Sequence, residues 1–426
     1  MNDNRDSYTQ HYMIDFEQAF EIISNHSQEA ESENCQLAKA SGRILAAPIT
    51  SPMNIPSFDN SAMDGYAVNA DDLNQASLDT PVNLNIVGLT AAGDDISQNQ
   101  LSQKTAWKIM TGAPIPQGYD SVIPVEKTKQ DDQDKTKLLC FAKVIKGAHC
   151  RTQGEDFVKD QLVLEDKQLI NSNRIMALAS LGIAQVPVKR KIKIAVFSTG
   201  KELIDDPNQP LKPGQIRNSN MPYILDYLSH FPVKSINAGT NYDDVDAFKK
   251  ALQQQLDDRQ DIIISTGAVS MGDFDFIPKC ILALGGEILF HKIKIRPGKP
   301  ILFAKFPNGS YYFGLPGNPI SATLGLRFFV SHLLLRLWGL PNEKPLKTQL
   351  ESAYIKKKGF TLLLKSNLQV TPEATLKASI LDGQESFKIH PMLDANGWLK
   401  LTQDTEQLAA ATILDFYPSI MDLNQF

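Results

Sequence analysis

Few of the features from which function is usually read occur in this chain. Its 426 residues hold four cysteines, Cys35, Cys140, Cys150 and Cys280, far apart and without CxxC spacing, which argues against a zinc site or a disulfide framework. No uninterrupted apolar run approaches the roughly 20 residues that a membrane-crossing helix needs. The richest stretch, LGLRFFVSHLLLRLWGL, is interrupted by Arg327, His332 and Arg336. The opening decapeptide, MNDNRDSYTQ, is polar and unlike a leader, so a reducing, cytoplasmic setting without membrane partners is expected. A net charge of -5 argues against a broadly basic face for nucleic acid, although a local basic cluster remains compatible with a small anion. Also missing are GxGxxG after a strand, GxSxG and HExxH, and the seven histidines are scattered. Dinucleotide folds of the usual kind, hydrolase triads and zinc proteases therefore have no support. GAVSMGD has the glycine spacing of a phosphate loop, but Asp273 stands where a Walker A lysine is required. A lone histidine such as His291 or His332 reads as a packed or surface side chain.

What is present is a change of pattern along the chain. The length predicts about three domains at roughly 150 residues each. A helix is expected over residues 15–25, with Phe16, Phe20 and Ile23 on one face. From 42 to about 157 short alternating runs such as VNLNIVGL, AWKIMTG, DSVIPVEK and KLLCFAKVI predict a mostly β module. QDDQDKTK reads as a solvated loop tip within it. A helix follows over 172–181. After it, strand runs (IKIAVFSTG, DIIISTGAVSMGD) alternate with helical ones (PYILDYLSH, VDAFKKALQQQL, IPKCILALG), the pattern of a parallel sheet with crossover helices. HKIKIRPGKPILFA reads as a strand pair or bent strand, and a long helix is expected over 320–338. The expected division is a linking domain of 1–50 with 153–190, an inserted mostly-β domain of 51–152, a doubly wound α/β domain of 191–340 and a small β domain of 341–426.

Ligands of open α/β sheets bind where strands end and helices begin. Three such ends share small, flexible residues: Ser198-Thr199-Gly200, Ser265-Thr266-Gly267 and Leu315-Pro316-Gly317-Asn318-Pro319, with Ser321 one turn on. Glycine lets backbone approach a ligand, and free N–H groups at a helix start favour anions. In HKIKIRPGKP, Lys292, Lys294 and Arg296 would share one strand face, with Lys299 after a Pro-Gly turn. Such a cluster faces either water or an oxyanion, to which Arg offers a fork and Lys a point charge. Carboxylates recur beside the small loops: Asp59 and Asp64 in NIPSFDNSAMDGYAV, Glu155-Asp156, Glu202, Asp243-Asp244, Asp273 and Asp275. Magnesium takes few carboxylates, keeps waters and bridges phosphates, and so suits acids at such places.

NIPSFDNSAMDGYAV, KIMTGAPIP, RTQGEDF, VFSTGKEL, STGAVSMGDFDF, KIRPGKP and GLPGNPISATL, in this order from about residue 50 to 325, closely resemble the MoeA/gephyrin E-domain family, the molybdopterin molybdenumtransferases. The resemblance implies an elongated subunit with a MogA-like α/β domain. It also implies insertion of molybdenum from molybdate into adenylylated molybdopterin, with Mg²⁺-dependent release of AMP. It further implies a homodimer whose sites are shared between subunits, and a transient contact with the pterin adenylyltransferase. Carried over by motif, the site acids are Asp59, Asp156, Glu202, Asp243 or Asp244, and Asp275. Of these Asp59, Glu202, Asp244 and Asp275 are the metal candidates, and Lys292 and Arg296 join the acids as catalytic candidates. Substrate-binding candidates are Thr111, Ser198, Thr199, Gly200, Ser265, Gly267, Ser270, Gly272, Lys299, Pro300, Gly317, Asn318 and Ser321. Asp59 is expected to face the ligand, and Asp64 to cap a turn.

The chain departs from the family pattern at several places. Arg296 stands for the first lysine of KPGKP, Ala268 follows STG, and Lys201 precedes Glu202. KKKGFTLLLKS has Phe360 where many members have arginine, with Lys358 or Lys365 as possible compensation. GQESF, with Ser386, only partly echoes a GQGS-like turn. The rival readings are the pterin adenylyltransferase of the same pathway and a gephyrin-like scaffold.

Overall fold

Alternation along the strands sets the architecture between residues 192 and 315. In Ile192–Thr199, Ile192, Ile194 and Val196 enter one core while Phe197 enters another. Ile262 and Ile264 part from Ile263, and Phe303 from Leu302 and Ala304, in the same way. A sheet whose two faces are both apolar must be covered on both. Helices Asn220–Ser229 and Pro319–Leu324 pack in the first core, Val245–Asp257 and Ile277–Ala283 in the second. The computed structural model describes residues 13–94, 103–241, 244–269 and 276–425. Its central sheet runs Val233–Asn241, Ile192–Thr199, Ile262–Thr266, Tyr311–Leu315, Leu302–Lys305, Glu287–His291. The first four strands are parallel, and Leu302–Lys305 runs antiparallel to both of its neighbours. The sheet is thus doubly wound, and its parallel strands end together at the three small loops.

The helical stretch Pro319–Leu337 is long and apolar enough to cross a membrane, but 94% of it is buried inside the fold, as a core helix is. Two of its interrupting polar residues, Arg327 and His332, are buried with partners. The Arg327 guanidinium donates to both Glu343 carboxylate oxygens (2.8 and 2.6 Å) and to the Pro418 carbonyl (2.7 Å). His332 stacks on Phe20 at 4.2 Å, with Nε2 2.9 Å from Ser24 Oγ and 3.2 Å from the Phe20 carbonyl. The first helix, Phe16–His26, starts at Asp15, whose side chain accepts from the third residue of the helix while Gln18 reaches back to the Asp15 N–H.

After residue 345 the chain closes a five-stranded barrel. Thr361–Val370 pairs with Leu376–Ile380, which continues through Leu346–Leu350, Ile413–Pro418 and Gly397–Leu401 back to Thr361–Val370. Closure leaves no free edge along these pairings. Ile295–Arg296 adds to the outside by pairing in parallel with Thr361 and Leu362. This barrel, the doubly wound sheet and the N-terminal segment form one compact unit, 1–46 with 167–171 and 186–426.

The second unit comprises 47–166 and 172–185. Its six-stranded sheet runs Ser121–Pro124, Gly65–Val68, Thr105–Ile109, Val82–Thr90, Lys137–Cys140, Thr128–Gln130. The charged tip 131–136 joins the last two strands in sequence, where Asp131 and Asp134 accept from nearby backbone N–H groups. This unit extends to Asp166, and within it Ile49–Thr50 pairs with Leu162–Leu164 and Ile55 bridges Phe157. The helix Ser172–Ser180 belongs to the same unit.

Candidate functional site

The small loops owe their shape to hydroxyls that tie strand ends together. Thr199 Oγ1 donates to the Thr266 carbonyl (2.8 Å), Ser198 Oγ accepts from Asn218 Nδ2 (2.9 Å), and Ser265 Oγ lies 2.5 Å from the Tyr312 hydroxyl. All three residues are buried. The hydroxyls of Ser198, Thr199 and Ser265 thus each have a partner within the protein. Gly267 is required by that closeness: at φ +90°, a Cβ there would lie 2.3 Å from the Thr199 carbonyl oxygen. Gly200, at φ +144°, has the Glu202 carboxylate folded over it, 2.5 Å from where a Cβ would stand.

Two residues absent from the sequence-based set join these loops. Asn218 bridges Ser198 Oγ and Asp205 Oδ1 (2.8 Å), and Asn220 Nδ2 donates to the Gly317 carbonyl (2.8 Å). Their signal in sequence is the short polar run NSN between a strand and a helix, of the residue types that bond locally to backbone.

The cationic run is not one strand face. The strand Glu287–His291 ends before Lys292, whose φ is 146°, and Ile293 bridges to Ile14. Lys294 is paired with Asp15 at 2.9 Å. Arg296 turns into the barrel edge, where its guanidinium lies 4.2 Å from the Phe360 ring centre. Lys292 is thus parted from Arg296 by a break in the strand. Arg296 and Lys299 are exposed and have no carboxylate partner among the described residues. The turn between them, with Gly298 at φ +103°, lies against Ser321: a Cβ on Gly298 would be 3.6 Å from the Ser321 carbonyl oxygen. Pro300 closes the turn.

The barrel supplies the third side. The Ser386 carbonyl accepts from the Ile320 N–H (3.1 Å), in the first turn of the helix that contains Ser321. Fully buried Lys365 fixes this loop by donating to the carbonyls of Gly383 (2.6 Å), Lys388 (3.1 Å) and Glu385 (3.3 Å). Burial pushes its ammonium pKa down, with Glu385 opposing. Lys358 reaches Glu406 at 3.5 Å. Neither lysine replaces the missing arginine: one is a structural clamp and the other a surface pair. Three segments, 296–300, 317–321 and 384–386, therefore converge at the carboxyl edge of the sheet. A cleft of about 780 Å³ opens at the opposite, amino edge among Arg190, Lys193, Lys234 and Asp261. There Arg190 holds Asp261 in a fork of two 2.7 Å bonds, and the turn 308–310 forms part of the wall.

The acids separate. Asp244 caps the helix Val245–Asp257 by accepting from the Ala247 N–H (2.9 Å). Asp243, Ser270, Gly272 and Asp275 lie outside the described residues, as does Asp273. Among the described residues no three His, Cys, Asp or Glu side chains form a metal cluster. In the second unit Asp59 accepts from the Gln153 N–H (2.7 Å), so it holds the RTQG turn. Asp64, expected to cap its own turn, bonds across the fold instead. It accepts from both the N–H (2.7 Å) and the hydroxyl (2.8 Å) of Thr111, bonds that hold its carboxyl below the usual range. Asp59, Thr111 and Asp156 are all exposed, and the first two are joined by these bonds to the framework of their loops.

Residues 14–182 match the MoeA N-terminal region (domain I and II), and 195–336 match the probable molybdopterin binding domain. The chain is 33% identical to a protein of Synechococcus elongatus named molybdopterin molybdenumtransferase, over 89% of this chain and 93% of that one. It is 38% identical to a Haemophilus influenzae protein of the same name, over 72% and 74% respectively. The crystal structure of the molybdopterin biosynthesis MoeA protein of Pyrococcus horikoshii superposes with a TM-score of 0.79 at 27% identity, covering 95% of this chain and all of that one. By these likenesses the chain belongs to the MoeA family.

Proposed function

We propose that this protein inserts molybdenum from molybdate into adenylylated molybdopterin and releases AMP, as a molybdopterin molybdenumtransferase of molybdenum cofactor biosynthesis. The observation that carries this reading is the convergence of the Arg296–Lys299 turn, the Ser321 helix start and the Ser386 loop at the carboxyl edge of a doubly wound sheet. Two cations without carboxylate partners beside a helix start suit a tetrahedral dianion. The Arg296 fork and the Lys299 point charge bind it from the side, where the helix start adds a favourable partial charge. Fixed donors of this kind stabilise charge as it develops, without reorganisation, and loss of one typically costs about 10²-fold or more. The backbone of the 200 and 267 loops accommodates the pterin and its phosphates, which need close approach more than side-chain chemistry.

A magnesium ion here would rely on few protein carboxylates, as suits an ion that keeps most of its waters. Of the described acids at the strand ends, Asp244 is committed to a helix cap, whereas Glu202 lies over Gly200 and is the residue that would hold the ion. When bound it supplies positive charge at the pyrophosphate. The reading includes a homodimer in which the Asp59 loop of a second copy completes each site.

The test is turnover by the purified protein with adenylylated molybdopterin, molybdate and Mg²⁺. Molybdate-dependent AMP release, matched by molybdenum on the pterin, is expected. Absence of turnover, or attachment of AMP to free pterin, contradicts the assignment.

A further inference from the structure

We propose that Phe360 is a positioning residue for Arg296 and thereby sets the affinity of the site for its oxyanion; this rests on the function proposed above. A guanidinium is a flat, weakly hydrated ion whose face can lie on an aromatic ring while its N–H edge still donates. That is the arrangement here, with the Arg296 guanidinium carbon 4.2 Å from the Phe360 ring centre.

Both partners are held by backbone. Ile295 and Arg296 pair with Thr361 and Leu362, and the Thr361 N–H donates to the Lys294 carbonyl (2.9 Å). The Phe360 carbonyl accepts from Lys356 Nζ (2.9 Å), and Lys356 is itself buried. The ring is therefore a fixed platform, and the exposed Arg296 side chain, without a carboxylate partner among the described residues, rests on it. A long side chain left free loses rotamer entropy on binding, so a platform that restricts it beforehand improves affinity. A lysine at 296 would carry the same charge but could not lie flat on the ring with its donors directed outward.

The experiment is the molybdate dependence of molybdenum insertion in the full-length protein. Phe360→Ala should raise the molybdate KM about fivefold or more with kcat within about twofold, since a contact with the ring is lost and not a donor. Phe360→Leu, which keeps apolar bulk without an aromatic face, should behave the same way, and Phe360→Trp should restore the wild-type value. Arg296→Lys should raise KM as Phe360→Ala does. Arg296→Ala should raise it further, and adding Phe360→Ala to Arg296→Ala should change nothing more. If Phe360→Leu keeps the wild-type KM while Arg296→Ala raises it, Phe360 does not position Arg296. The same conclusion follows if the Phe360 effect persists undiminished in the Arg296→Ala protein. If Arg296→Ala itself leaves KM unchanged, the oxyanion site is misplaced and the proposal fails with it.

Discussion

Side chains that were ambiguous in sequence acquire definite roles from their neighbours. His332 looked like an interruption of an apolar run, yet it is buried, stacked on Phe20 and hydrogen-bonded. Burial, reinforced by nearby Arg336, pushes its pKa down from 6.5 to about 4. The folded state thus favours neutral imidazole, and between about pH 6.5 and 4 the unfolded chain binds the extra proton. Stability from this group is complete above pH 6.5 and declines as pH falls toward 4, by roughly 3 kcal/mol in total. Unfolding free energies across that range should show the decline, and His332→Leu should flatten it. The acids of NIPSFDNSAMDGYAV show the limit of residue-level reading. Sequence marked Asp59 as a reagent and Asp64 as a local cap, but Asp64 holds Thr111, 47 positions away. No spacing rule could show a bond across that interval.

Elements were legible where their period was clear. The helices beginning near Phe16, Ser172 and Val245, and the strand Ile192–Thr199, fall within a few residues of the expected spans. HKIKIRPGKP was the exception. Alternation read as one face of one strand, whereas the chain breaks at Lys292 and passes from the central sheet to the edge of the barrel. The alternation of burial survived, with Ile293 and Ile295 fully buried, because both enter the same core. What failed was the inference that the cations act together. A similar long-range dependence joins the core helix to the barrel through Arg327, buried with Glu343. Glu343→Ala leaves that guanidinium uncompensated away from water and should destabilise this unit by about 3–5 kcal/mol. Chemical denaturation would measure the loss, and a change below about 1 kcal/mol would show that water or another acceptor replaces the carboxylate.

At the scale of the molecule, the order of motifs along the sequence carried more than any single loop. Seven short motifs in one order pointed to the family to which the relatives and family matches assign the chain. Three of the site's segments, 296–300, 317–321 and 384–386, come from separate parts of the fold, and only the third was weakly marked in sequence. The candidate acids are divided between the two compact units, with Asp59 and Asp156 in one and Glu202 and Asp244 in the other. The most direct test of the proposed site and its sharing is made on purified mixed dimers in which one copy carries Asp59→Asn and the other Lys299→Ala. Each variant alone should insert molybdenum at least about tenfold more slowly than wild type. The mixed dimer, with one site intact and one doubly altered, should recover about half the wild-type rate. Wild-type insertion by Lys299→Ala alone, or no recovery in the mixed dimer, would contradict it.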